Sequence, residues 1–148
     1  MSAFGLKADP DLQKKLLECA SQVLSRAAKE HLFHEGQESQ GLYLLKEGTL
    51  RLSLDASPGK ALIERIVAKG HIVGLPATIN GYPYSLNCDV VEDAELAYIS
   101  RQDLTKMMRR DTSVAIKLLN LLSLEVQAMR SELADVTPIL SRGVKETN

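Results

Sequence analysis

The apolar positions of this chain recur with a helical period at both ends and with a shorter, partly alternating period in the middle. Near the start, Asp9 followed by Pro10 is typical of a helix N-cap and first helical position. A helix is predicted from the apolar residues that follow at helical spacing, which are Leu12, Leu16, Leu17, Ala20, Val23 and Leu24.

Between Lys29 and Asp55 the period changes to short apolar runs that glycines interrupt, a pattern that predicts strands joined by turns. Strands are predicted over residues 51–55, 61–67, 84–91 and 95–99. Turns are predicted at residues 57–60, 69–70, 80–81 and 92–93. About seven or eight short strands, with a helical turn before the last pair, predict a sandwich, jelly roll or barrel.

The helical period returns with a short helix over residues 101–110 and a longer helix that starts near Thr112 or Ser113. One apolar line on the longer helix has the a/d spacing of a coiled-coil seam: Leu119, Leu122, Val126, Met129, Leu133 and Val136. A second line, formed by Val114, Leu118 and Leu121, lies on another face and is followed by Glu125. We expect the second line to pack on the β domain and the seam to form a homodimer. The alternative is that the whole helix lies across its own barrel.

With 148 residues, the chain is long enough for one domain with a buried core. Its net charge is -1 and it has no basic tail or stripe, so direct binding to nucleic acid is not expected. No apolar run is long enough to span a bilayer, and no signal peptide is evident. Cys19 and Cys88 form no CxxC motif, which favours two reduced thiols in a cytoplasmic protein.

Four parts of the chain share one order and spacing: LFHEGQESQGLYLLKEGTLRL, KGHIVGLPA, YSLNCDVVEDAELAYISRQDL and the helix after Asp111. In this order they resemble the cyclic nucleotide-binding domain at the front of the Crp/Fnr family of bacterial transcription regulators. The resemblance implies a fold that is mainly β with flanking helices, a jelly roll followed by a long C-terminal dimerisation helix. It divides the chain into a barrel unit over residues 1–110, a dimerisation helix over 111–136 and a tail over 137–148, with Pro138 expected to end the helix.

The resemblance also implies a phosphate-binding cassette, in which a short helix directs backbone N–H groups at an anion. The candidate ligand-binding residues are Gly74, Leu75, Pro76, Ala77, Thr78, Tyr84, Ser85 and Arg130. Relatives that bind cyclic AMP carry a glutamate and an arginine where this chain has Leu75 and Tyr84. Because a charge-assisted bond to phosphate contributes about 1.5–3 kcal/mol, losing both should weaken binding at least about a hundredfold. Neither cyclic AMP nor cyclic GMP is therefore expected to bind in the usual way.

Three interpretations of the cassette stay open. It binds another small-molecule effector, more apolar or aromatic, against Leu75, Tyr82 and Tyr84. It is an empty remnant, which would make the chain a ligand-free structural dimerisation module. Or it still binds a nucleotide through its backbone, with Arg130 supplying the positive charge. No resident cofactor is expected.

His31, His34 and Glu38 raise a remote alternative, a cupin-like metal-binding barrel. On a strand, the spacing of His31 and His34 directs the two imidazoles to opposite faces, so no metal site is expected. No GxSxG motif or Cys–His pair indicates catalysis, so no catalytic residue is predicted. The sequence therefore predicts a cytoplasmic, homodimeric sensor domain that is not an enzyme, contacts no membrane and reaches DNA only through a module absent from this chain.

Overall fold

The computed structural model describes residues 7–147, and their side chains as far as Ser131 apart from Met129. The elements in chain order are α1 (Pro10–Glu18), β1 (Gln22–Arg26), β2 (His31–Phe33), β3 (Gly41–Ser57), β4 (Lys60–Ala68), β5 (Ile72–Val73), α2 (Leu75–Asn80), β6 (Asn87–Ser100), α3 (Arg101–Arg110) and α4 (Thr112–Thr147). The predicted hairpin between β3 and β4 and the predicted short helix α3 are confirmed.

The two long strands β3 and β6 form the middle of an antiparallel sheet. β6 pairs with β1, β2 and β3, while β3 also pairs with β4 and β5. Helices flank this sheet, and the longest helix ends the described part of the chain. The predicted fold class, a mainly β jelly roll with flanking helices and a long C-terminal helix, is confirmed.

Apolar side chains are buried on both faces of the sheet, because successive residues of a strand point to opposite faces. Leu45 lies on the inner face, in a cluster that includes Phe33 and Tyr84. Leu42 and Leu44 lie on the opposite face, which we call the helix face. The helices α1, α3 and α4 cover the helix face through Leu12, Leu16, Leu104, Met107, Val114 and Leu118, with Leu121 and the seam residue Leu122 partly buried beside them. The prediction that Val114, Leu118 and Leu121 pack on the β domain is confirmed.

The N-terminal helix is shorter than the apolar spacing predicts. α1 ends at Glu18, and Val23 and Leu24 lie in β1, where they pair with Ala97 and Leu96 of β6. Pairing with a long neighbouring strand decides the structure here, since a spacing of three to four residues over a short stretch does not distinguish helix from strand. The prediction that Ala20, Val23 and Leu24 belong to a helix is wrong.

A single strand replaces the two strands predicted over residues 84–91 and 95–99. β6 keeps Glu92 and Asp93 within it, because irregularities in its register with β3 absorb the extra residues. The hydroxyl of Thr49 donates to the carboxylate of Glu92, and the N–H of Ala28 donates to Asp93 Oδ1 over 2.8 Å. The described part of the chain therefore has a sheet of six strands, two of them long, rather than seven or eight short ones.

The long helix α4 begins where it is predicted but ends later. Its capping side chain is Asp111, whose Oδ1 accepts the N–H of Ser113 over 3.0 Å. The helical backbone continues past Pro138, so the prediction that this proline ends the helix is wrong. A proline removes one backbone hydrogen bond and can bend a helix without ending it.

The division into units over 1–110, 111–136 and 137–148 stays a prediction. None of the described helices is long and apolar enough to cross a bilayer.

Replacing Leu118 tests the docking of α4 on the sheet. We expect Leu118→Ala to lower the free energy of unfolding by about 2–5 kcal/mol, because this side chain is fully buried on the helix face. Ile116→Ala, on the exposed face of the same helix, is the matched control and should change it by less than about 0.5 kcal/mol. Urea unfolding at one protein concentration measures both variants, and equal losses would contradict the docking.

Candidate functional site

The predicted cassette lies where β5 leads into α2. Gly74 precedes α2 as its N-cap residue and has φ +84°, a conformation that favours glycine. The backbone N–H and the hydroxyl of Thr78 both donate to the carbonyl of Gly74, over 3.1 Å and 2.7 Å. Both donors of Thr78 are therefore used to hold the first turn of α2 closed.

Tyr84 fills the space beside Gly74. Its ring stacks on that of Phe33, with centroids 3.8 Å apart and planes inclined by 11°. Its hydroxyl donates to the carbonyl of Gly41 over 2.7 Å, and only 5% of the residue is exposed. A Cβ at position 74 would lie 2.8 Å from Tyr84 Cε1, so this contact also requires glycine there. Burial raises the pKa of Tyr84 to about 12, so its hydroxyl stays protonated and can donate at neutral pH.

A small space remains between Tyr84, the cassette and α4, and we call it the inner cavity. Its walls are Phe33, Leu52, Val73, Gly74, Pro76, Ala77, Tyr84, Ser85, Leu86 and Glu125. The inner cavity has a volume of about 20 Å³, which is room for about one water molecule. The inner cavity therefore has no room for a larger ligand while Tyr84 and the other wall residues keep these positions.

Most of the predicted ligand-binding residues meet at the inner cavity: Gly74, Pro76, Ala77, Tyr84 and Ser85. Leu75 instead packs on the helix face, in the same cluster as residues of α1 and α4. Thr78 is buried and bonded within α2, while Arg130 is exposed on α4 and does not line the cavity. The ligand-binding role of this set stays a prediction.

Five wall residues were not among the predicted ligand-binding residues: Phe33, Leu52, Val73, Leu86 and Glu125. Glu125 is only 8% exposed and brings a carboxyl group to the inner cavity. It follows Leu121 by four residues, and residues at that spacing share a helix face, so the buried line of α4 continues through an acidic residue. Among the described residues, the cavity wall has an acidic side chain and no basic one.

The two histidines considered as metal ligands lie side by side, so the prediction of opposite faces is wrong. Their ring centroids are 4.8 Å apart, because β2 ends at Phe33 and its register shifts between His31 and Phe33. Nδ1 of His31 contacts the carboxylate of Asp89, which also accepts a bond from Arg51 over 3.1 Å. Within the described part of the chain, no group of three or more His, Cys, Asp or Glu residues is placed to hold a metal ion.

Comparison with known proteins identifies related sequences of two kinds. The chain is 28% identical over 123 residues to the anaerobic regulatory protein of Bacillus subtilis, which covers 82% of this chain and 52% of that protein. It is 26% identical over 113 residues to patatin-like phospholipase domain-containing protein 6 of Pongo abelii, which covers 76% of this chain and 8% of the phospholipase. The chain thus spans about half the length of the regulator and under a tenth of the phospholipase.

Solved structures show the same fold. The catabolite activator protein of Thermus thermophilus superposes with a TM-score of 0.73 at 26% identity, covering 86% of this chain and 60% of that chain. A transcriptional regulator from Thermotoga maritima superposes with a TM-score of 0.71 at 19% identity, covering 85% of this chain and 98% of that chain, which supports the fold alone.

The family described as the cyclic nucleotide-binding domain matches residues 23–111, which is more than half of the chain. The matched range includes the whole sheet except the first residue of β1, together with the cassette and α3. The chain therefore belongs to the cyclic nucleotide-binding domain family, with neighbours that include Crp/Fnr-type transcription regulators.

Proposed function

We propose that this chain is the effector-sensing and dimerisation domain of a cytoplasmic Crp/Fnr-type transcription regulator, and that it does not bind cyclic AMP in the usual way. The position of Tyr84 carries the proposal. Phe33 and the carbonyl of Gly41 hold its ring at the place where cyclic AMP-binding relatives are expected to carry an arginine. In this proposal the cassette keeps the backbone turn at Gly74, while a tyrosine takes the place of the anion-binding arginine.

The chemistry of the inner cavity supports an uncharged ligand over a phosphate. Glu125 lines the cavity, and none of its described wall residues is basic. A cyclic phosphate buried there would lose its hydration without gaining the charge-assisted bond that contributes about 1.5–3 kcal/mol elsewhere. The effector of this proposal is therefore a more apolar or aromatic small molecule, and no resident cofactor is included.

An effector larger than a water molecule requires Tyr84 to move, since the inner cavity has a volume of only about 20 Å³. Tyr84 and Glu125 share the walls of this cavity, so displacing the ring changes the surroundings of α4. An effector that prefers the displaced state shifts the population toward it. The packing of Leu118 and Leu121 would then change, and the seam of α4 would rotate and reposition a separate DNA-binding module.

The exposed face of α4 supports dimerisation. Leu119 and Val126 are 61% and 55% exposed, although Val114 and Leu118 on another face of the helix are buried. Burying an exposed Leu or Val against a partner contributes about 1.5–3 kcal/mol before the costs of association. The proposed partner is a second copy of this chain, because a seam with a/d spacing can pack against its own copy. The seam is predicted to continue through Met129, Leu133 and Val136, whose side chains lie beyond those described.

A second candidate function is a ligand-free structural dimerisation module. The small volume of the inner cavity favours it, because the Tyr84 ring and its bond to Gly41 leave the cassette filled without a ligand. The two candidates differ in one requirement: a sensor needs a second state in which Tyr84 has moved, whereas a module needs only the state described here. No catalytic function is proposed, since the match to the phospholipase covers only 8% of that protein.

Restoring a positive charge tests whether the region around Gly74 is a modified phosphate cassette. We expect Tyr84→Arg to bind cyclic AMP at least about tenfold more tightly than the unaltered chain, because the guanidinium supplies the missing charge-assisted bond. Tyr82→Arg is the matched control, since it adds the same charge at a residue that is 68% exposed and outside the cavity wall. Calorimetry measures binding after circular dichroism has shown that both variants are folded. A folded Tyr84→Arg chain that binds no better than the control would contradict this interpretation.

Charge on the exposed face of α4 tests dimerisation. We expect Val126→Glu to yield monomers in sedimentation velocity, because two carboxylates would face each other across the seam. Gln127→Glu adds the same charge at the next exposed position, off the seam, and should leave the dimer intact. A chain that is monomeric before substitution, or a Val126→Glu dimer of unchanged affinity, would place the interface elsewhere or remove it.

A further inference from the structure

A second cavity opens on the other side of Tyr84, and we call it the tyrosine groove. It has a volume of about 300 Å³, and its walls include Tyr43, Tyr84 and Tyr98. The chain contains four tyrosines and no tryptophan, so three of its four tyrosines meet here. Its volume is at the lower end of the range of about 300–1,000 Å³ that is typical of small-ligand sites.

The aromatic walls of the groove are held in place by the sheet. Tyr43 of β3 pairs directly with Tyr98 of β6, so both side chains lie on the same face. Their ring centroids are 5.2 Å apart and the planes are inclined by 49°. The ring of Tyr98 lies against Gly41, where a Cβ would come within 2.6 Å of it. Fixed aromatic faces of this kind suit a flat ligand that stacks.

The polar walls of the groove indicate a ligand without net charge. The side-chain amides of Gln22 and Gln40 offer both hydrogen-bond donors and acceptors, and that of Gln37 offers donors while its Oε1 accepts the N–H of His34. Arg26 and Glu38, one residue of each charge, also line the groove. An anion in the groove would face Glu38, and a cation would face Arg26. An uncharged ligand whose edge carries both donors and acceptors therefore fits these walls better.

A buried hydroxyl beside the groove lacks a hydrogen-bond partner. Ser39 lies between the wall residues Glu38 and Gln40 and is buried, and its Oγ makes no hydrogen bond of acceptable geometry to any described residue. Burial raises the pKa of Tyr84, and a hydrogen-bonding interaction between the hydroxyls of Ser39 and Tyr84 opposes that rise. Buried polar groups without partners are uncommon in proteins and require an explanation. Ser39 is not itself a wall of the groove, so its hydroxyl marks a polar region behind the wall and not a ligand contact.

We propose that the tyrosine groove is a binding site for a planar, uncharged heteroaromatic small molecule, stacked on Tyr43 and Tyr98 with its polar edge on the glutamine amides. This site goes beyond the proposed function, because it needs no opening of the inner cavity and no phosphate cassette. Since Tyr84 forms a wall of both cavities, a ligand in the groove also contacts the residue that closes the inner cavity.

The test uses the unaltered chain with ¹³C-labelled tyrosine rings, whose NMR signals come from only four residues. Adenine and nicotinamide are the planar, uncharged probes, benzoate is the planar anion, and ribose is the polar, non-planar control. We expect adenine or nicotinamide to shift the Tyr43 and Tyr98 signals, with saturation at or below millimolar concentration, while the Tyr82 signal stays in place. Absence of saturable shifts with both probes, equal shifts at Tyr82, or equally tight binding of benzoate or ribose would overturn the proposal.

Matched variants locate the site. We expect Tyr98→Leu to weaken probe binding by about tenfold or more, because it removes a stacking face. Tyr98→Phe, which keeps the ring, and Tyr82→Leu, which lies outside the groove, should retain binding. If Tyr98→Leu does not fold, Tyr43→Leu takes its place. Retained affinity in a folded variant that lacks either ring would overturn the proposal. Such a failure leaves the proposed function intact. Tight cyclic AMP binding that persists in a folded Tyr98→Leu chain would instead contradict the proposal that the cassette does not bind cyclic AMP in the usual way, and it would not bear on the groove.

Discussion

The ring of Tyr84 is fixed between two glycines, and the shape of the candidate site follows from that. Gly41 of β3 accepts the hydroxyl through its carbonyl over 2.7 Å, and Gly74 leaves room for the ring edge. A Cβ at position 41 would come within 2.4 Å of the Ile99 carbonyl oxygen, and one at position 74 within 2.8 Å of the ring. The sheet and the start of α2 therefore close around one phenol ring, which separates the inner cavity from the tyrosine groove.

The long helix connects this region to the surface. One face of α4 is docked on the sheet through Val114 and Leu118, and another exposes Leu119 and Val126. Glu125 lies where the docked line reaches the inner cavity, one residue before Val126 of the seam. The inner cavity and the exposed seam therefore involve neighbouring residues of the same helix, α4. This proximity is the physical basis for coupling effector binding to dimer geometry in the proposed function.

Local patterns predicted much of the fold, because hairpin turns, helix caps and a docked apolar line depend on residues near one another in sequence. The β3–β4 hairpin, α3 and the buried line of α4 were predicted on that basis. Contacts between distant segments set the rest. Strand pairing placed Val23 and Leu24 in β1, and a register shift brought His31 beside His34. The resemblance implied that Tyr84 stands where relatives carry an arginine, but the sequence did not predict that Phe33 and Gly41 would hold its ring inside the cassette.

The most direct test of the central claim, that Tyr84 has replaced phosphate recognition in the cassette, is calorimetric titration of the unaltered chain with cyclic AMP and cyclic GMP at near-physiological salt. Our account predicts no micromolar binding of either nucleotide, because the ring fills the cavity and no basic side chain is among its described walls. Micromolar binding of either nucleotide would contradict it. That result would mean that the ring leaves its place readily and that backbone N–H groups, or Arg130 from α4, hold the phosphate.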